Sequence, residues 1–339
     1  MKTSNVIVSG GVCAGVLTAF FTLRALKRYL FRSLQPYIPV GVVSELYIYP
    51  IKSSRGKEVV SIECGLLGAQ SNEVKDRQFL VVREDTKRFL TAVVYPKMVL
   101  LEADVHNGIL QIQYPGQPSC AVQISDVIKS NNVVTANMYG RSKQDALDCG
   151  DEVGKWLKAA LGTEENLRLL YYPDERSYER YCEKASDIPV SDLPEKKVRF
   201  NDLAPFLVFG SGSVADLRSH FDVNDNINVL SKNFRPNIVV DHCAPFAEDW
   251  WMNVRIGEAE FEYMRPCTRC VLITVDPCTG TRNKELQPLK ELRRYRRAPG
   301  ELEKIYKDSP VFGAYLYATK PGKIQIGDVV YAQHKDHPL

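Results

Sequence analysis

The sequence predicts a mixed α/β fold dominated by β structure, with helices at its rim and one membrane helix ahead of it. Three observations carry that expectation. From residue 40 onward the chain runs in short stretches rich in Val, Ile and Tyr, punctuated by turn pairs such as Asn107-Gly108 and Pro115-Gly116. Helical periodicity is confined to a few short segments. The first 38 residues carry an uncharged run closed by basic residues. The 339 residues, 45% hydrophobic and 25% charged, are ordinary globular values and exclude a disordered, collagen-like or coiled-coil chain.

The N-terminal segment comes first. Val6 to Leu23 holds 18 residues without a charge, about 27 Å as a helix, close to the roughly 30 Å of a bilayer core. It ends in Arg24, Lys27, Arg28 and Arg32, a stop rather than a cleavage site, and Pro36 and Pro39 end the stretch. The positive-inside rule then puts the body on the cytosolic side. A moderate run with basic flanks suits the mitochondrial outer membrane, with another cytosol-facing membrane as the alternative. The formal charge of +3 is unevenly spread: Lys2, Arg24, Lys27, Arg28 and Arg32 stand in residues 1–38 without an acid, leaving 39 basic against 41 acidic residues beyond. The body is therefore not a basic nucleic-acid binder. Nine irregularly spaced Cys do not form a disulfide framework and agree with a reducing compartment.

Along the body, Val40–Ile51 reads as a strand ending at Pro50. Phe79–Arg83, Val99–Val105, Ile109–Tyr114 and Ala121–Ile124 follow as strands. Val153, Trp156, Leu157 and Ala160 predict a helix over Asp151–Leu161, with Gly162 as its C-cap. Residues 173–200 are polar and read as a long connection. Phe206–Phe209 is a short strand, and Ser213–Phe221 a helix opened by a Ser213/Asp216 capping box. Ile238–Val240, Val254–Ile256, Glu258–Tyr263 and Cys270–Val275 read as strands, Pro288–Arg294 as a helix, and Phe312–Thr319 and Val329–Gln333 as closing strands. The pattern is that of a barrel or sandwich carrying helices at its rim.

The strongest local signal is Pro266-Cys267-Thr268-Arg269-Cys270. A structural zinc needs four ligands, and only His242 and Cys243 stand nearby as further donors. A thioredoxin-type pair opens a helix, whereas a strand is expected after Cys270. A single thiolate to a soft transition metal, and two plainly buried Cys, stay open beside these. Gly210-Ser-Gly212-Ser-Val-Ala215 has dinucleotide-like spacing, but no acid ends the next strand and no βαβ order surrounds it. Lys52, Arg77 and Arg235 sit in turns at strand ends, where converging cations would make an anion pocket. No catalytic triad is visible among the His residues.

Taken in order, Ile48-Tyr-Pro-Ile-Lys52-Ser53, Asp76-Arg77, Phe234-Arg235-Pro236-Asn237, the Cys267/Cys270 pair with Val275-Asp276-Pro277, and Pro310-Val-Phe312-Gly313-Ala-Tyr315 resemble the MOSC family, and closely its amidoxime-reducing branch. The resemblance spans residues 40–333. It implies a membrane anchor over 1–38, a MOSC N-terminal β-barrel part over 39–172 and a MOSC β-barrel domain over 173–335. It implies a molybdenum cofactor, molybdopterin-bound, with Cys270 as catalytic thiolate ligand to molybdenum. Lys52, Ser53, Arg77, Arg235, Asn237, Thr268, Arg269 and Tyr315 would contact the cofactor, together with Asp202, Leu203 and Ala204, the last two only through backbone. The implied activity is reduction of N-hydroxylated compounds (amidoximes, hydroxylamines, N-hydroxyguanidines, with nitrite as a further substrate). Electrons would come from NADH through cytochrome b5 reductase and cytochrome b5. The alternative is a membrane-tethered carrier of the cofactor or of sulfur, without turnover.

Overall fold

Alternation along seven strands builds a closed ring in a computed structural model that describes residues 35–139, 142–174, 196–222, 225 and 227–339. The strands are β1 (Ile38–Ile48), β2 (Phe206–Gly210), β3 (Ile238–Asp241), β4 (Trp251–Ile256), β5 (Ala259–Thr268), β6 (Val311–Lys320) and β7 (Val329–His334). Their spatial order is β3-β2-β6-β5-β4-β7-β1, and β1 returns to pair antiparallel with β3, which closes the barrel. Only β2 and β3 run parallel, Val208 opposite Ile238. Helix α1 (Ser211–Ser219) crosses between them, as a parallel connection requires.

Side chains sort by the period of two. Phe206, Val208, Ile238, Val240, Ala314 and Leu316 face the barrel core with Val254, Phe261 and Val330. Phe209, Val239 and Phe312 face outward into a second apolar cluster, roofed by α1, by the turn Ser231–Phe234 and by helix α2 (Leu289–Tyr295). Phe234 stacks on Phe312 there at 4.1 Å and 13°.

The ring is composite. β1 comes from the N-terminal part of the sequence and closes a barrel otherwise made from residues beyond 205. Gly322–Gln325 makes the reverse exchange, pairing with Ser61–Gly65 in a four-stranded sheet. Lys57–Val59 pairs antiparallel with the end of β1, and the remaining N-terminal strands form one four-stranded sheet, with Phe79–Arg83 at its edge, and one three-stranded meander over 102–123. Residues 39–339 form one unit.

Most expected elements stand where the sequence places them. Helix Asp151–Leu161 ends at Gly162 with φ 63°. Three expectations change. Val99–Val105 is not one strand: a 3₁₀ turn over Pro96–Leu100 precedes a strand at Glu102–His106, because Pro96 starts a turn and Met98 and Val99 bury on one side of it. Cys270–Val275 is not a strand but a 3₁₀ turn over Val271–Thr274. Asn233 Nδ2 donates to the carbonyls of Ile273 and Val275 at 3.2 and 3.1 Å and holds the turn. The Ser213/Asp216 capping box is absent: α1 begins at Ser211 with no side-chain cap. Ser213 Oγ instead donates to the buried carboxylate of Glu248 and accepts from Phe246 N. The 6–23 run and residues 175–195 of the polar connection lie outside the described residues. Among the described residues no helix is long and apolar enough to cross a membrane.

Candidate active site

Leu207 on β2 and Tyr315 on β6 are register partners, alternating with residues of the barrel core. They therefore face the outer side of the wall, and there they line a cleft. Every site residue named from the sequence lines this cleft except Leu203. Lys52 and Ser53 come from the turn after β1, Arg77 from the turn before Phe79, and Asp202 and Ala204 from the approach to β2. Arg235 and Asn237 precede β3, while Thr268 ends β5 and Arg269 and Cys270 follow it.

The local backbone is unusual where these residues sit. Ser53, Arg77 and Arg235 hold φ of 71°, 48° and 57°. L-residues rarely occupy that region, and clusters of such conformations mark sites where geometry outweighs strain. β5 carries Pro266 opposite Ala314, with a register irregularity between Pro266 and Thr268. A proline inside a sheet calls for such an irregularity, and this one re-aims the chain just before Cys270.

Asp76, fully buried, is the hub beneath the cations. It accepts from Arg77 Nη1 at 2.8 and 2.7 Å, from Tyr49 N at 2.9 Å, and from Asn201 and Asn237 side chains at 3.1 Å each. Asn237 Oδ1 accepts from Leu207 N at 3.2 Å and Arg77 at 3.3 Å. The guanidinium carbons of Arg77 and Arg235 stand 4.3 and 4.2 Å from the centroid of the Tyr49 ring. Burial pushes the Tyr49 phenol up to about 12, although both cations pull the other way.

At the mouth, Lys52 Nζ donates to Phe200 O at 2.8 Å and pairs with Asp202. Tyr139 donates to Asp202 at 2.6 Å. Burial alone would raise the Asp202 carboxyl, but Lys52, Tyr139 and Arg77 outweigh it and hold it well below the usual carboxylate range. Arg269 is pinned by Phe312 O at 2.8 Å and Phe234 O at 2.9 Å. Gly313, φ 85°, leaves room for it: a Cβ there would stand 3.2 Å from Arg269 Nη2 and 2.9 Å from Val208 O.

Two donors stay unmet. Arg235 Nη2 and Arg269 Nη2 are buried without a hydrogen-bond partner, and both residues line the cleft. A buried orphan donor costs about 1–3 kcal/mol or more when charged, so the site as it stands calls for an anion. Burial, with Arg77 nearby, draws Arg235 down to about 10. Cys270 opens to the cleft, while Cys267 is buried behind it. Burial raises the Cys270 thiol against the lowering pull of the Leu272 backbone N–H. Among the described residues no group of three His, Cys, Asp or Glu converges, so no third such ligand joins the Cys pair in a zinc site. This donor set suits an anionic cofactor that takes one thiolate ligand: several cations, two of them under-bonded, around a single accessible sulfur.

The dinucleotide-like turn has a different role. Glu248, fully buried, accepts from Gly210 N and Ser213 Oγ and fills the anion position at the start of α1. Sequence reasoning missed Tyr139, Thr91, Asn201 and Asn233, which also line the cleft, and the supporting Tyr49 and Asp76. Tyr49 and Asp76 lie inside the motifs quoted above. The others carry no local signal.

The fold and site define a class. The model of the MOSC N-terminal beta barrel domain matches residues 40–164, and that of the MOSC domain, a molybdenum-cofactor-binding family, matches residues 195–331. Among curated proteins the chain is 35% identical to mitochondrial amidoxime reducing component 2 of Bos taurus, over 86% of this chain and 83% of that one. It is 32% identical to mitochondrial amidoxime-reducing component 1 of Homo sapiens, over 95% and 90%. The chain belongs to the mitochondrial amidoxime-reducing component family of MOSC proteins.

Proposed function

We propose that the chain is a molybdenum-cofactor-dependent reductase of N-hydroxylated compounds: amidoximes, hydroxylamines and N-hydroxyguanidines, with nitrite as a further substrate. The observation that carries it is the pair of unmet guanidinium donors, Arg235 Nη2 and Arg269 Nη2, lining the same cleft as the exposed Cys270 thiol. The names of the relatives supply the reaction class. When bound, the cofactor supplies two-electron chemistry at molybdenum, and N–OH becomes N–H with loss of water.

The protein's own residues do the rest. Cys270 gives a soft thiolate ligand. Arg235, Arg269, Arg77 and Lys52 meet the negative charge of the dithiolene and phosphate, which would be costly to bury unpaired. Asp76 and Tyr49 hold the two turn arginines in place, so the charge is preorganised rather than recruited. Asp202 and Tyr139 fix Lys52 at the entrance. Electrons come from NADH through cytochrome b5 reductase and cytochrome b5. The 6–23 run anchors the chain in the mitochondrial outer membrane with its body facing the cytosol, where tethering raises the effective concentration of partners.

The test is to express the full chain in a host that makes molybdopterin, measure molybdenum per chain, and assay reduction of benzamidoxime with the reconstituted electron chain. About one molybdenum per chain with turnover supports the reading. A fully loaded protein without turnover overturns it.

A further inference from the structure

The reductase reading demands two electrons at the metal that Cys270 would hold, and the seat of a dinucleotide at Gly210–Ala215 is filled by Glu248. A donor protein would then have to dock within reach of Cys270, and one face lies over the turn that follows it. The turn is Val271–Thr274 and its cover is α2: Ile273 packs in one cluster with Leu289 and Leu292.

The cover is strongly basic. Arg282, Lys284, Lys290, Arg293, Arg294, Arg296 and Arg297 stand against Glu285 and Glu291, a net +5 within residues 282–297. Outside this segment and the first 38 residues, the chain is net −7. The net positive charge of the body is thus carried by this segment, in which Arg294, Arg296 and Arg297 pair with Glu291, Asp249 and Asp308. Lys284, Lys290, Arg294 and Arg297 are exposed, and among the described residues Lys284 and Lys290 have no acidic partner. Arg282 donates to Val93 O, which ties the segment to the Thr91–Val93 rim of the cleft. Leu286 and Val94 add exposed apolar side chains, 38% and 56% accessible.

We propose that this basic face, residues 282–297 over the Cys270 turn, docks an acidic one-electron carrier protein. The proposal rests on the reductase reading. A cluster of one sign steers an oppositely charged partner and raises its association rate by ten to a thousandfold. Exposed aliphatic side chains among those charges give the encounter an apolar contact once formed. An anionic bilayer would meet the same charges but supplies no electrons, whereas the turn that follows Cys270 packs under this face through Ile273.

The test uses the full, cofactor-loaded chain and the double variant Lys290→Glu, Arg297→Glu, neither residue touching the cleft. Stopped-flow reduction by cytochrome b5 is followed at low and physiological ionic strength, and photoreduced deazaflavin serves as a small donor without a docking surface. The expected result is a fall of about tenfold in the cytochrome rate at low salt, with a flattened salt dependence and unchanged deazaflavin-driven turnover. An unchanged cytochrome rate overturns the proposal, as does an equal loss with both donors. A variant that loses binding to phosphatidylserine vesicles while keeping its cytochrome rate assigns the face to lipid and overturns it too. Wild-type protein that holds molybdenum yet reduces no amidoxime with deazaflavin defeats the reductase reading itself.

Discussion

Asp76 takes the Arg77 guanidinium on both carboxylate oxygens, at 2.8 and 2.7 Å, while itself fully out of solvent. Removing one partner of such a pair strands a buried charge and costs about 3–5 kcal/mol. Asp76→Ala is expected to lower the unfolding free energy by that amount and to release cofactor. Asp76→Asn, which keeps an acceptor for Tyr49 N, is expected to lose less. Denaturant titration and molybdenum content of both variants check this. Equal stability of wild type and the alanine variant would remove Asp76 as the hub.

Arg235 separates binding from stability. Its Nη2 is buried and unmet while Nη1 donates to Ser54 O at 2.7 Å, so Arg235→Met trades a partly satisfied buried cation for apolar volume against Tyr49. Cofactor-free Arg235→Met is expected to be as stable as wild type or more so, while molybdenum content falls at least about tenfold, the scale for losing a supporting contact at a metal site. A drop in apo-protein stability of several kcal/mol would show that the arginine is needed for the fold instead.

Cys270 is the accessible sulfur of the cleft. Cys270→Ser is expected to bring amidoxime reduction to background while denatured protein still yields fluorescent oxidised pterin, because the cations that hold the pterin are untouched. Full activity in this variant would eliminate Cys270 as the ligand. Cys267→Ser, altering the buried neighbour, is expected to retain molybdenum.

Glu248 gives a pH signature. Burial, reinforced by Asp249, raises its carboxyl from 4.5 to about 7. The unfolded chain ionises first, so the folded state holds the extra proton between these values, and stability falls as pH rises through that window, by up to about 1.4 kcal/mol per unit. Below about 4.5 the contribution is fully present. Glu248→Gln is expected to flatten the difference in denaturation midpoint between pH 5 and pH 7. Parallel pH profiles for the two proteins would contradict the assignment.

Much of the site was legible because its residues stand in short turns at strand ends, where Lys52-Ser53, Arg235-Pro236-Asn237 and Cys267–Cys270 are contiguous in sequence. What supports them was less so. Tyr139 reaches Asp202 from 63 positions away, and no local pattern announces such a partner. The Val271–Thr274 run is β-branched and apolar, which reads as a strand; a side-chain amide from Asn233 makes it a turn. Tertiary contact overrides propensity in that way. Ser213 has the spacing of a helix cap, yet its hydroxyl is claimed by Glu248, 35 residues later. Leu203, next to two cleft residues, does not line the cleft. Adjacency in a loop does not fix direction.

The composite barrel also sets an order in time. β1 contributes Val43 N to Asp328 O and accepts Gly327 N on Val43 O, so its seam with β7 joins the earliest and latest strands of the body. During synthesis the ring stays open until β7 emerges, and β1 waits with that edge uncovered while the other strands of the ring are made. The seam is therefore the last of the ring to form, and a chain broken off before Val329 would lack the strand that shuts it.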